Sequence, residues 1–112
     1  MTVDAGAQLR RGVVEYCVLG LLSREPMYGW QLAARLTEHG MIASIGTLYP
    51  LLARLRDRGL ILAFHEQSAE GPTRKYYRLT EQGAEQLRLF NEQWRPFTRA
   101  VESFIEGEGD RT

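Results

Sequence analysis

Ser44-Ile45-Gly46-Thr47-Leu48-Tyr49-Pro50-Leu51-Leu52-Ala53-Arg54-Leu55-Arg56-Asp57-Arg58-Gly59 is the stretch on which the fold turns. Leu48, Leu51, Leu52 and Leu55 stand at i, i+3, i+4 and i+7, a single apolar stripe at helical period. The helix is expected to start within residues 44–47 and to end at Arg58-Gly59. Pro50 is tolerable because it lies in or close to the first turn, where amide hydrogens are largely unpaired anyway. Facing away from the stripe are Ser44, Thr47, Tyr49, Pro50, Arg54 and Arg58. The stripe is core; only the opposite face is available for a function.

Two helices precede this one. Residues 9–23 read as the first, apolar on nearly every side from Tyr16 to Leu22, as expected of a helix surrounded by core. Glu25-Pro26 ends it. Residues 28–39 read as the second, with Leu32, Ala33 and Leu36 inward and Gly40 as the stop. After the leucine helix, residues 61–66 read as a strand, 67–73 as a polar loop containing Gly71-Pro72, and 74–79 as the returning strand of a hairpin. Alternation puts Tyr77 and Leu79 on the core face and leaves Tyr76 more exposed. Thr80 is expected to cap a last helix, with Glu81 favouring its dipole. Leu87, Phe90, Trp94, Phe97, Val101 and Phe104 follow in steps of 3, 4, 3, 4 and 3, a heptad seam over nearly three heptads. Such a helix needs a partner surface, and a second copy of the chain is the simplest one.

The whole chain has 112 residues with 14 basic and 14 acidic side chains, and 44% hydrophobic content, ordinary for a globular domain. A chain this short supports one modest core. Its longest apolar stretch, residues 13–22, is too short to span a bilayer and contains Glu15. Asp4 and the mixed charges near the N-terminus speak against a signal peptide. Cys17 is the single cysteine, so neither an internal disulfide nor a cysteine-built metal site is expected, and the setting is read as cytoplasmic. Cys17 itself is expected to be an inert buried thiol. His39 and His65 have no metal-ligand spacing. No nucleophilic triad, phosphate-binding glycine loop or metal cluster appears, so no enzyme, cofactor or metal is expected. The neutral charge is an average: residues 54–78 carry six basic and three acidic side chains, residues 79–112 four basic and seven acidic. A basic middle of this kind suits a local anionic partner.

Three helices followed by a hairpin is the order of a winged helix-turn-helix. The expected architecture is mainly α with a small β-hairpin: residues 1–79 form the winged unit, with the wing at 61–79, residues 80–106 a dimerisation helix, and 107–112 a frayed tail. In this arrangement the third helix enters the major groove and the wing reaches the neighbouring backbone or minor groove. Short hydroxyls at Ser44 and Thr47 suit phosphate at a helix N-terminus. Tyr49 suits a phosphate or a thymine methyl, or it packs partly buried on the second helix. Arg54 suits a phosphate or a guanine edge, and Arg56 a solvated helix end. Arg74 and Lys75 stand where a positive pair meets phosphate oxygens, with Tyr76 beside them. Tyr28 and Trp30 read as core or staple residues, with the dimer partner as an alternative for Trp30.

Pro26-Met27-Tyr28-Gly29-Trp30-Gln31-Leu32, Gly46-Thr47-Leu48-Tyr49-Pro50-Leu51-Leu52-Ala53-Arg54-Leu55 and Arg74-Lys75-Tyr76-Tyr77-Arg78-Leu79-Thr80, in this order, resemble PadR-type transcriptional regulators. Leu9-Arg10-Arg11-Gly12 and Glu15-Tyr16-Cys17-Val18-Leu19 fit as well. The resemblance spans roughly residues 9–105 and is closest to the small subfamily with a single C-terminal dimerisation helix. It implies a homodimeric repressor on pseudo-palindromic double-stranded DNA, released in some members by a small planar aromatic ligand. In some small members a tryptophan of the last helix stacks on planar drugs at the dimer interface. Trp94 occupies a similar place, where seam packing alone also accounts for it. Pro96 departs from the pattern: it removes the backbone bond to the Glu92 carbonyl and is expected to kink or break the last helix. The competing reading is a winged-helix module that binds protein and not DNA.

Overall fold

The computed structural model describes residues 5–67 and 69–106; the expectations for residues 1–4 and for the 107–112 tail lie outside the described residues. The described residues form α1 (Ala5–Arg11), α2 (Val14–Leu22), β1 (Met27–Tyr28), α3 (Gly29–Glu38), α4 (Ile45–Asp57), β2 (Ile61–Glu66), β3 (Arg74–Leu79) and α5 (Glu81–Ile105). This is a mostly helical winged-helix fold with a small antiparallel sheet and a long C-terminal helix.

The leucine stripe of α4 is the centre of the core. Leu48, Leu52 and Leu55 are fully buried with Val18 and Leu19 of α2 and Leu32 of α3, and no polar or charged residue is buried among the described residues. Each fully buried leucine stabilises the fold by about 1.5–3 kcal/mol relative to exposure. The α4 helix stops where its carbonyls find other donors. Gly59, at φ +77°, lets the chain reverse, so that its own N–H bonds to Arg56 O at 2.9 Å and that of Leu60 to Leu55 O at 3.0 Å. Gly40 ends α3 with the same pair of bonds. These two stops set where the turn before α4 and the wing after it begin.

Three expectations need correction. The first helix, read as continuous over residues 9–23, is two helices. Val13 sits at φ −121° and ψ −15°, and its N–H bonds to Arg10 O at 3.0 Å, a tight turn that re-aims the chain after the flexible Gly12. The second helix starts one residue later than expected, because Met27 and Tyr28 form a third strand paired with β3, in register Met27 with Tyr77 and Tyr28 with Tyr76. The sheet order is β1-β3-β2. The last helix runs unbroken from Glu81 to Ile105 through Pro96. Glu92 and Pro96 are both exposed, so the carbonyl that Pro96 leaves without a backbone donor is free to hydrate.

Candidate nucleic-acid interface

The sheet register sorts the wing into two faces. Met27, Tyr77 and Ala63 form one cross-strand row, with Tyr77 buried in the core. Tyr28, Tyr76 and Phe64 form the opposite row, an aromatic ladder in which Tyr76 meets Tyr28 edge-on at 5.5 Å and stacks on Phe64 at 5.7 Å. Tyr76 is therefore half-buried by its neighbours in the ladder. Arg74 and Lys75 are exposed at the start of β3 and diverge with the pleat. The Arg74 guanidinium carbon lies 4.6 Å from the Tyr28 ring centre, and Lys75 Nζ lies 5.8 Å from that of Tyr77. Gln67 holds the loop below the tip, donating to Gly71 O and accepting from the Thr73 hydroxyl.

On α4, Ser44, Thr47, Tyr49, Pro50 and Arg54 are all exposed. Ser44 is the N-cap residue, but its side chain makes no capping bond, so its hydroxyl is uncommitted to the helix. Tyr49 is 47% exposed with its ring over Gly29: a Cβ added there would stand 3.1 Å from the tyrosine oxygen. The two readings of Tyr49 are thus satisfied by different parts of one ring. Burial pushes the Tyr77 phenol up, with Tyr49 adding to the effect and Arg56 opposing it, which puts Tyr77 at the junction of wing and α4.

The exposed arginines of α4 are less free than the sequence suggests. Glu15 of α2 accepts from Arg58 Nη1 at 2.9 Å and sits 3.5 Å from Arg54 Nη2. Both arginine side chains remain about half exposed or more, at 61% for Arg54 and 47% for Arg58. An exposed pair of this kind is worth at most about 1 kcal/mol, so a phosphate can compete for either arginine. Sequence reasoning missed Glu15 as a partner; its only signal was a lone carboxylate in an otherwise apolar segment.

The family model described as the transcriptional regulator PadR-like family matches residues 18–89. The chain belongs to that family. The PadR-like fold extends beyond the matched segment. A PadR-like transcriptional regulator from Bacillus cereus is 39% identical, with a TM-score of 0.81 over 90% of this chain and 99% of that one. A PadR family transcriptional regulator from Eggerthella lenta is 38% identical, with a TM-score of 0.78 over 90% of this chain and 88% of that one. A transcriptional regulator of Mycobacterium tuberculosis is 33% identical over 76 residues, 68% of this chain and 70% of the relative. PadR-like proteins are DNA-binding transcriptional regulators, not enzymes, and no helix among the described residues is long and apolar enough to cross a membrane.

The PadR-like seam on α5 is divided by the structure. Leu87 packs against the chain's own core, and Phe90 stacks on Tyr16 of α2 with ring centres 4.0 Å apart and planes within 9°. Beyond them the seam is bare: Phe97 is 60% exposed and Phe104 84%, with Trp94 and Val101 also exposed. Trp94 lies 5.3 Å from Phe90 and 6.5 Å from Phe97, centre to centre. Together with Leu9, Val13 and Met41 they line an open groove of about 680 Å³ between α5 and the α1–α2 turn. The solvated flank of α5 carries Arg88 paired with Glu85 and Glu92. Trp30, read as core, staple or partner-facing, is exposed on the outside of α3, because the buried side of that helix belongs to Leu32, Ala33 and Leu36. Cys17 is half-buried, not fully buried as expected, and burial pushes its thiol up, away from thiolate.

Proposed function

We propose that the chain is a homodimeric repressor that reads a pseudo-palindromic promoter site in the cytoplasm. The observation that carries the reading is the cationic wing beside an exposed α4 face whose other side is committed to the core. Thr47, Tyr49, Pro50 and Arg54 enter the major groove with Ser44 at the phosphate beside the helix start, while Arg74, Lys75 and Tyr76 meet the flanking backbone. Trp94, Phe97, Val101 and Phe104 close the dimer, with Leu87 and Phe90 bracing α5 on its own core. A 25-residue α5 is roughly 37 Å long, close to the spacing of half-sites one helical turn apart.

The test is a salt titration of duplex affinity. Arg74→Ala with Lys75→Ala weakens binding to every duplex sequence and lowers the slope of log affinity against log salt by about 2, one for each lost phosphate contact. An unchanged slope removes the wing from the interface. An unsubstituted protein with no salt-dependent duplex affinity at all favours a module that binds protein.

The groove at Trp94 suits a small planar aromatic effector, which loosens the DNA complex by preferring a dimer geometry with the two α4 helices misplaced. Stacking on indole quenches its fluorescence. Quenching by planar aromatic compounds is expected to disappear in Trp94→Phe; quenching that persists assigns it to exposed Trp30 and empties the groove of this role.

A further inference from the structure

Tyr28 lies outside both the leucine helix and the hairpin, yet its ring is the anchor of the wing's leading cation. We infer that Tyr28 is a positioning residue that holds the Arg74 guanidinium ready for a DNA phosphate. This rests on the DNA-binding reading above and assigns a further residue to the same surface. The Tyr28 ring is fixed from several sides. Its backbone pairs with Tyr76 on β3, its ring meets the Tyr76 edge at 5.5 Å, and its N–H donates to Gln31 Oε1 at 3.0 Å at the start of α3. Arg74 has the Tyr28 ring at 4.6 Å and, among the described residues, no hydrogen bond or ion pair. Glu66 is its register partner on β2, yet the two form no salt bridge. The cation–π contact uses the charge of the guanidinium and none of its five N–H donors. The arginine is therefore ordered before DNA arrives while its whole donor fork stays available for phosphate oxygens, so less side-chain freedom is lost on binding. An ion pair with Glu66 would have ordered it too, but at the expense of those donors. Lys75, on the other face at 5.8 Å from Tyr77, is held more loosely and does not duplicate the role.

The experiment is fluorescence anisotropy with a random-sequence duplex on the dimer-competent full chain, as a double-mutant cycle with thermal melts alongside. Tyr28→Phe keeps the ring and binds as the unsubstituted protein does. Tyr28→Leu binds about threefold more weakly, and in the Arg74→Ala background the same change has no further effect. A Tyr28→Leu loss that is equal in both backgrounds makes the residue merely structural and overturns the positioning role, as does a Tyr28→Leu protein of full affinity. A second measurement needs no substitution at Tyr28: the Arg74 side-chain protons of the unsubstituted protein are shifted upfield by the ring current, and ordinary shifts overturn the proposal even should Tyr28→Leu not fold. Absence of duplex affinity in the unsubstituted protein overturns the DNA reading and this role with it, an outcome separable from a flat cycle on a protein that binds.

Discussion

Phe97→Asp with Phe104→Asp is expected to convert the protein to monomers and to lower its affinity for a duplex carrying both half-sites at least about 100-fold. The two rings are 60% and 84% exposed in the single chain, so the changes leave its own core intact. In a dimer they stand on one stripe of α5 with Trp94 and Val101, and burying such a ring contributes about 1.5–3 kcal/mol. Each substitution removes that gain and places a carboxylate in the seam, where a charge without a partner is strongly disfavoured. Loss of the dimer turns the second half-site from an intramolecular contact at high effective concentration into an independent one. Sedimentation velocity reads the assembly and anisotropy the binding, with an unchanged circular dichroism spectrum as the control. A doubly substituted protein that stays dimeric and binds normally excludes this seam as the interface.

Gly83→Ala is expected to destabilise the chain by about 3 kcal/mol and to lower the melting temperature by roughly 10 °C or more. Gly83 lies in the first turn of α5 and is the only buried residue of that helix among those described. A Cβ there would overlap the Leu60 carbonyl oxygen, stand 3.0 Å from its carbon and 2.7 Å from Leu79 Cδ1. Leu60 has little room to yield. Its N–H is bonded to Leu55 O at 3.0 Å and its carbonyl accepts from Thr80 N at 3.1 Å. The Thr80 hydroxyl closes the joint, accepting from Gly83 N at 3.0 Å and donating to Gly59 O at 2.7 Å. Alanine's better helix propensity, about 1 kcal/mol over glycine, is too small to offset a backbone overlap. The alternative to the strain is undocking of α5, which misplaces the seam and so weakens DNA binding as well. A melting temperature within about 2 °C of the unsubstituted protein would show that the helix start shifts freely.

The two predictions depend on different kinds of information. The seam is written in the spacing of Phe90, Trp94, Phe97, Val101 and Phe104, and the leucine stripe of α4 in the same way. Both strands of the hairpin, 61–66 and 74–79, were legible with their ends, because alternation and the flanking Gly59, Gly71-Pro72 and Thr80 are local signals. The DNA-facing candidates on α4 were legible as the complement of the stripe, and their exposure follows from it. Less legible was anything set by a neighbour far along the chain. Met27 and Tyr28 are too short a strand to show a period, and only the edge of β3 makes them one. Glu15 lies 39 and 43 residues from Arg54 and Arg58, and no spacing rule connects them.

Amino-acid order by itself determined the helix–helix–helix–hairpin–helix succession, the polar face of α4, the cationic wing tip and the apolar stripe of α5. Each is a periodicity or a cap, and such signals act within a few residues through backbone geometry and the burial of one face. Tertiary structure alone decided that α2 begins anew at Val13, that a third strand brings Tyr28 beneath Arg74, that Glu15 shares the α4 arginines, and that Tyr16 draws Phe90 inward while Phe97 and Phe104 are left bare. These are outcomes of packing, in which a side chain's partner is chosen by proximity in space, and a one-dimensional pattern holds no record of that distance.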